Sequence, residues 1–427
     1  MSLLCTNGCA PLATSACALT CLLLGAGPLQ AQGLLDNAKA NLTLRNFYIN
    51  RNFVDDSATR SKAEEWTQSF ILDFKSGYTE GPVGFGLDVL GLYSIKLDGG
   101  KGTGGTQLLP LGRDGDPADH FGRIAVSGKL KYSETELRVG EWIMDLPVLR
   151  SDDGRSLPQT FEGSMLTSKE IKNLTLYAGH ITGNSPRDDG SMEDMTLFGT
   201  NPYTSNRTSD DFDFGGAEYS FNDKRTTVGA WYARLKDIYK QRYFQVLHTQ
   251  PLGKKWTLGA NIGYFDGEED GDALEGQLDN KLLTGFFSLK KGAHVFYLGL
   301  QRVTGDDRWL RVNSSAGSSV ANDSYNGSFD NARERSWQVR YDYDFVTLGI
   351  PGLTLMNRYI KGTNVHTGNI TNGEEWQRET QLSYVVQSGS LKNLSVRWRN
   401  STVRRDWGSN NKFEDNRLIV TYPVSLF

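Results

Sequence analysis

The sequence predicts an all-β protein, an 18-stranded antiparallel transmembrane β-barrel with short periplasmic turns and long extracellular loops. Three observations predict it. From about Lys39 to Phe427, strand-length stretches alternate apolar and polar residues, the period of two that a strand with one apolar face requires. The connections between them alternate strictly between tight turns and long polar loops, and a soluble sandwich has no physical reason to segregate loop length by side. Mean hydropathy is -0.46, and no apolar run of 18 residues follows the N-terminal segment. That excludes membrane helices but not a barrel, in which only alternate residues meet lipid.

Taken in order, residues 1–35 carry no charged side chain, and Leu22-Leu23-Leu24 lies in an apolar core before the small-residue site Leu29-Gln30-Ala31. This predicts a secretory signal peptide over 1–31, leaving 32–427 as a single barrel domain. The absence of Lys or Arg near Met1 and the break at Pro11 are departures from the pattern. All four cysteines (Cys5, Cys9, Cys17, Cys21) fall in this segment, so the mature chain would have no disulfide, thiol nucleophile or zinc–thiolate site.

The alternation then places strands at 40–53, 65–78, 82–97, 119–132, 135–144, 160–170, 173–183, 212–222, 225–236, 240–251, 254–267, 278–290, 293–305, 333–347, 352–362, 374–388, 392–405 and 413–427. An even number puts both termini on one side of the membrane, as bacterial barrels have them. The tight connections at 79–81, 133–134, 222–224, 252–253, 291–292, 349–351 and 389–391 are rich in Gly, Asn, Asp and Pro, the residues turn geometry favours. The long set comprises 98–118, 145–159, 184–211, 268–277, 306–332 and 363–373. In the last strand Leu418, Val420, Tyr422, Val424 and Leu426 alternate up to a terminal Phe427, a signal suited to outer-membrane barrel-assembly machinery.

Letting the apolar phase of each strand meet lipid shows what points inward. Leu394, Val396 and Trp398 outside put Arg397 and Arg399 in the lumen. Trp337, Val339, Tyr341 and Tyr343 outside put Arg340 inside, and the same rule turns Arg358 inward. Ile124, Val126 and Leu130 outside leave Arg123, Lys129 and Lys131 within, and Arg45 and Arg51 share one phase of the first strand. An arginine against mid-membrane lipid costs roughly 2–4 kcal/mol, so inward placement is expected whatever the function. These arginines therefore either pair structurally with aspartates or form a ladder of bidentate carboxylate sites. Their concentration on 333–405 and on the first strand favours the ladder. The segment 146–163, with Pro147 and Pro158 at its ends, packs Arg150, Asp152, Asp153 and Arg155 into a turn suited to a stiff constriction or to an exposed loop.

That segment, Arg45-Asn-Phe-Tyr-Ile-Asn-Arg51, the run 335–345 and Gly349-Ile-Pro-Gly-Leu-Thr354 together resemble the OprD family of substrate-specific outer-membrane carboxylate channels. The resemblance spans the mature chain. It implies an eighteen-stranded barrel, a basic ladder along its wall, uptake of small carboxylates, and a pore narrowed by a third loop (145–159) and a seventh (306–332). Arg150 and Arg155 would sit at the constriction, with Asp306 and Asp307 as an opposing acidic patch, and the branch favouring cyclic carboxylates fits better than the basic amino-acid branch. Expected partners are carboxylate solutes, outer-membrane lipid and lipopolysaccharide, with a homotrimer as one assembly open to such a barrel. The net charge of -4 argues against nucleic acid. The five histidines lack metal spacing, Asp266–Gly271 lacks the final Glu of a calcium loop, and no cofactor is expected. The rival functions are a non-selective porin and, less well supported, a barrel hydrolase.

Overall fold

The computed structural model describes residues 33–201 and 204–427; the expected signal peptide at 1–31 lies outside them. Eighteen antiparallel strands form one closed wall. They are β1 (Lys39–Phe53), β2 (Lys62–Lys75), β3 (Val83–Asp98), β4 (His120–Tyr132), β5 (Thr135–Trp142), β6 (Thr160–Ser168), β7 (Leu174–Ser185), β8 (Phe212–Phe221) and β9 (Thr226–Leu235). The second half comprises β10 (Tyr239–Leu252), β11 (Trp256–Glu269), β12 (Asp279–Lys291), β13 (His294–Thr304), β14 (Arg335–Asp344), β15 (Leu353–Thr367), β16 (Ile370–Val385), β17 (Ser395–Arg405) and β18 (Phe413–Ser425). Each strand pairs with its neighbours in sequence, and β1 pairs with both β2 and β18. That last pairing removes the open edge, which lipid could not hydrogen-bond.

The outer face is apolar, as the alternation requires: Ile124, Val339, Phe244, Leu283 and Trp398 are all exposed. Several boundaries differ from the sequence expectation: β15 runs to Thr367 and β16 starts at Ile370, so most of the expected loop 363–373 is strand, and two more move for a local reason. The strand expected over 333–347 stops at Asp344, whose side chain accepts a hydrogen bond from the Val346 backbone N–H and starts a 3-10 turn (Phe345–Leu348). Leu394, expected on the outer face of a strand, instead closes a turn with Leu391, and β17 begins one residue later. At Asp344 and at Leu394, local capping and turn hydrogen bonds cut the strand short of its alternation.

The interior has two unlike sides. Along β5–β13, between inward polar residues such as Gln241, Asn280 and Gln301, the bore face carries an apolar cluster that includes Trp142, Phe161, Phe212, Trp231, Tyr243, Phe265, Leu282 and Val303. Onto them pack Leu146, Val148 and Leu149 of the loop 145–159, Met195 and Leu197 of the loop after β7, and Trp309, Leu310 and Val312 of the loop after β13. A smaller cluster joins Phe47, Ile49, Ile71 and Ile419 on the wall to Leu108, Leu109 and Leu157. Phe47 and Ile49 face the bore on β1 because these loop leucines cover them. The opposite side, from β14 round through β18 to β1, carries guanidinium groups.

Candidate translocation site

The arginine wall follows from register. On β17, β18 and β1, successive inward rows read Ser395–Thr421–Arg45, Arg397–Ile419–Phe47, Arg399–Arg417–Ile49 and Ser401–Asp415–Arg51. Rows lie two residues, or roughly 7 Å, apart along the strands. Further round, Arg340 stands opposite Arg358, and Arg358 opposite Glu379. The inward phase is fixed by Val396 and Trp398, which take the outer face.

Charge along this wall is only partly compensated. Asp415, fully buried, accepts from Arg51 Nη2 at 3.0 Å and from Arg417 Nε at 2.7 Å. Arg340 grips Asp342 through two bonds, Arg358 pairs with Glu379, and Arg405 pairs with Glu375 at 2.7 Å. Arg399 donates to the neutral Gln381 Oε1 at 2.8 Å. Arg397, half-buried, makes no hydrogen bond and no ion pair with the described residues. On β14–β18 and β1, eight inward guanidinium groups thus meet five carboxylates, those of Asp153, Asp342, Glu375, Glu379 and Asp415.

The loop after β13 crosses to this wall. The Tyr325 ring lies 4.1 Å from the Arg399 guanidinium, 5.1 Å from that of Arg358 and 5.7 Å from that of Arg417. A ring face attracts cations at such distances, so Tyr325 helps hold all three. Its hydroxyl donates to Gln381, and Asn326 Oδ1 accepts from Arg51 and Arg417. Behind this tip, burial pushes the Asp323 carboxyl up to about 6, against the opposing pull of Arg311.

The loop 145–159 supplies the facing groups. Arg45 donates to both oxygens of Asp153, at 2.7 and 3.0 Å. Burial pushes the Asp152 carboxyl up, but Arg187 and Arg155 outweigh it and hold it below the ordinary range. Among the described residues the buried Arg155 guanidinium has only carbonyl partners, Thr106 O and Gly154 O, both at 2.8 Å. Burial, reinforced by Arg187 and Arg417, lowers its pKa well below the usual guanidinium value. Arg150 pairs with Asp145 at 2.9 Å and reaches Ser318 at 3.1 Å, while its carbonyl accepts from the Ala316 N–H. The two loops are therefore joined to each other as well as to the wall.

Of the residues singled out from sequence, Arg45, Arg51, Asp152, Asp153, Arg155, Arg358, Arg397 and Arg399 come together, with Arg340 beside them. Three do not. Arg123 is spent on loop carbonyls, donating to Asp189 O at 2.8 Å and also to Pro158 O. Lys129 pairs with Asp88 at 2.6 Å. Asp307 accepts from the Asp279 backbone N–H at 2.8 Å and Asp306 pairs with Arg333, so these carboxylates brace a loop base instead of opposing the arginines. His180, Asp211 and Asp213 do lie close together, but Arg234 and Lys236 already pair with the two carboxylates.

Residues 32–426 match the model of the outer membrane porin, OprD family. The chain belongs to the OprD family. This OprD-family porin is 62% identical to the porin-like protein GalP of Pseudomonas putida over 401 residues, 93% of this chain and 95% of GalP. It is 57% identical to Pseudomonas aeruginosa OccK2 (OpdF) in complex with glucuronate (93% of this chain and all of that one, TM-score 0.85). It is 48% identical to P. aeruginosa OpdK with vanillate (92% and all, TM-score 0.87). OprD-family barrels are integral to the outer membrane, and so is this one.

Reasoning from sequence missed several groups in the OprD-family bore. Arg417 and Asp415 were accessible to the phase rule, since Leu418 and Val420 outside force them inside. Tyr325, Asn326, Arg187 and Arg311 lie on loops, where no periodicity indicates which way a side chain turns.

Proposed function

We propose that this porin carries small carboxylate-bearing solutes passively along the arginine wall, with the loops 145–159 and 306–332 narrowing the path. The observation that carries the reading is the pair Arg397 and Arg399: adjacent inward guanidinium groups with no carboxylate of the protein bound to either. Each offers a planar donor pair matched to a carboxylate. Neighbouring sites of similar strength let an anion step onward without being trapped. A solute moving down its gradient requires no chemical step and no cofactor. Two relatives crystallised with glucuronate and vanillate support the substrate class, since both are cyclic carboxylates. A non-selective pore would need no such uncompensated charge. Planar-bilayer recording tests the reading: carboxylates should block the current in a concentration-dependent way that their neutral analogues do not. A large conductance indifferent to both would favour a general pore.

A further inference from the structure

We propose that Asp153 is a built-in stand-in for the solute's carboxylate, occupying Arg45 between passages and giving it up to each arriving anion. This rests on the carboxylate reading above. Among the carboxylates bonded to the inward arginines of β14–β18 and β1, Asp415, Glu379 and Glu375 have side chains no more than 4% exposed and Asp342 24%, whereas Asp153 is 52% exposed. Asp415 is gripped by two arginines, and Glu379 accepts from Arg358, Gln377 and the Tyr325 N–H. Among the described residues Asp153 has Arg45 as its single partner. It also sits on a loop, where rotation of one side chain frees it, not on a strand.

The loop holds Arg45 in place without it. Arg45 Nη1 donates to the Arg155 carbonyl at 2.8 Å as well as to Asp153, and Asp152 anchors the turn independently through Arg187 and the Gly154 N–H. Release of Asp153 therefore exposes a guanidinium already aimed into the gap. Arg45 lies one row from Arg397, separated by a single intervening strand, so it is the next station for a carboxylate leaving Arg397. A resident competitor keeps that station from holding its cargo too long.

The experiment records current block by vanillate, with vanillyl alcohol as the neutral control, for the wild-type porin and for Asp153→Asn, Asp153→Ser and Asp153→Glu in planar bilayers at fixed ionic strength. The two neutral variants should lower the half-blocking vanillate concentration roughly two- to fivefold, the range an exposed ion pair supplies, and lengthen each block. Asp153→Glu should stay near wild type, and vanillyl alcohol should be unchanged throughout. Unaltered or weaker vanillate block in both neutral variants, with wild-type block intact, overturns the stand-in role alone. Absence of carboxylate block in the wild type overturns it together with the carboxylate reading.

Discussion

The two sides of the bore solve different problems with the same strand pattern. Along β5–β13 an inward cluster of aromatic and aliphatic residues carries three loops as a packed layer. From β14 to β18 and on β1 the inward positions include eight arginines, held by carboxylates, by Tyr325 and by loop carbonyls. The first side behaves as a protein core in which water is excluded and shape decides. The second keeps charge in a place where burial is expensive, and leaves part of it unmatched. On the proposed carboxylate reading, stability of the loops and selectivity of the path would be carried by separate residues, so each could be broken without the other.

The largest effect should come from the apolar side. Phe265 stacks on Tyr243 at 4.0 Å between ring centres and meets Trp309 at 5.0 Å. Phe265→Ala should loosen the loop layer by about 3 kcal/mol. In bilayers this would appear as higher and noisier conductance, with anion preference retained. A change in ion preference as large as the change in conductance would mean the two sides are not separable.

The next effect belongs to the arginine wall. Arg397→Ala with Arg399→Ala should reduce carboxylate uptake into liposomes by roughly tenfold, the scale of one charge-assisted hydrogen bond, and shift reversal potential toward cations. Heat-modifiability on gels should be unchanged, since neither arginine is paired with a carboxylate. Unchanged anion preference would remove the ladder. Tyr325→Leu should do less, a few-fold loss of carboxylate block from the lost cation–π contacts, with the single-channel conductance rising as the ring is removed.

The smallest effect is in pH. Asp323 has its folded pKa raised from 3.8 to about 6, so its contribution to loop docking is fully present below about 4 and is lost as pH rises through 6. Amide exchange at 322–328 should therefore be slower at pH 4 than at pH 7 after correction for intrinsic rates. Asp323→Asn should flatten that difference, and a difference of opposite sign would sink the assignment.

The positions of the strands were legible because alternation is a local property: Val396 and Trp398 reveal their face, and with it the face of Arg397 and Arg399. The rule weakened on β1, where Phe47 and Ile49 point inward beneath Leu108 and Leu157, residues more than fifty positions away in sequence. It gave nothing for Asp307, since whether a loop carboxylate opposes an arginine or braces Asp279 depends on how the loop folds back.

By itself, the chain's pattern of alternation and turns determined an eighteen-stranded barrel and sent most of its strand arginines inward, because lipid rejects charge on whichever face it touches. Only the tertiary structure decided which of those arginines keep their charge unmatched. Pairing depends on strand register, which puts Arg51 and Arg417 on one Asp415, and on the loop returning from β13, which brings Tyr325 and Asn326 across the bore. Neither depends on residues close together in sequence, and so neither could be read from them.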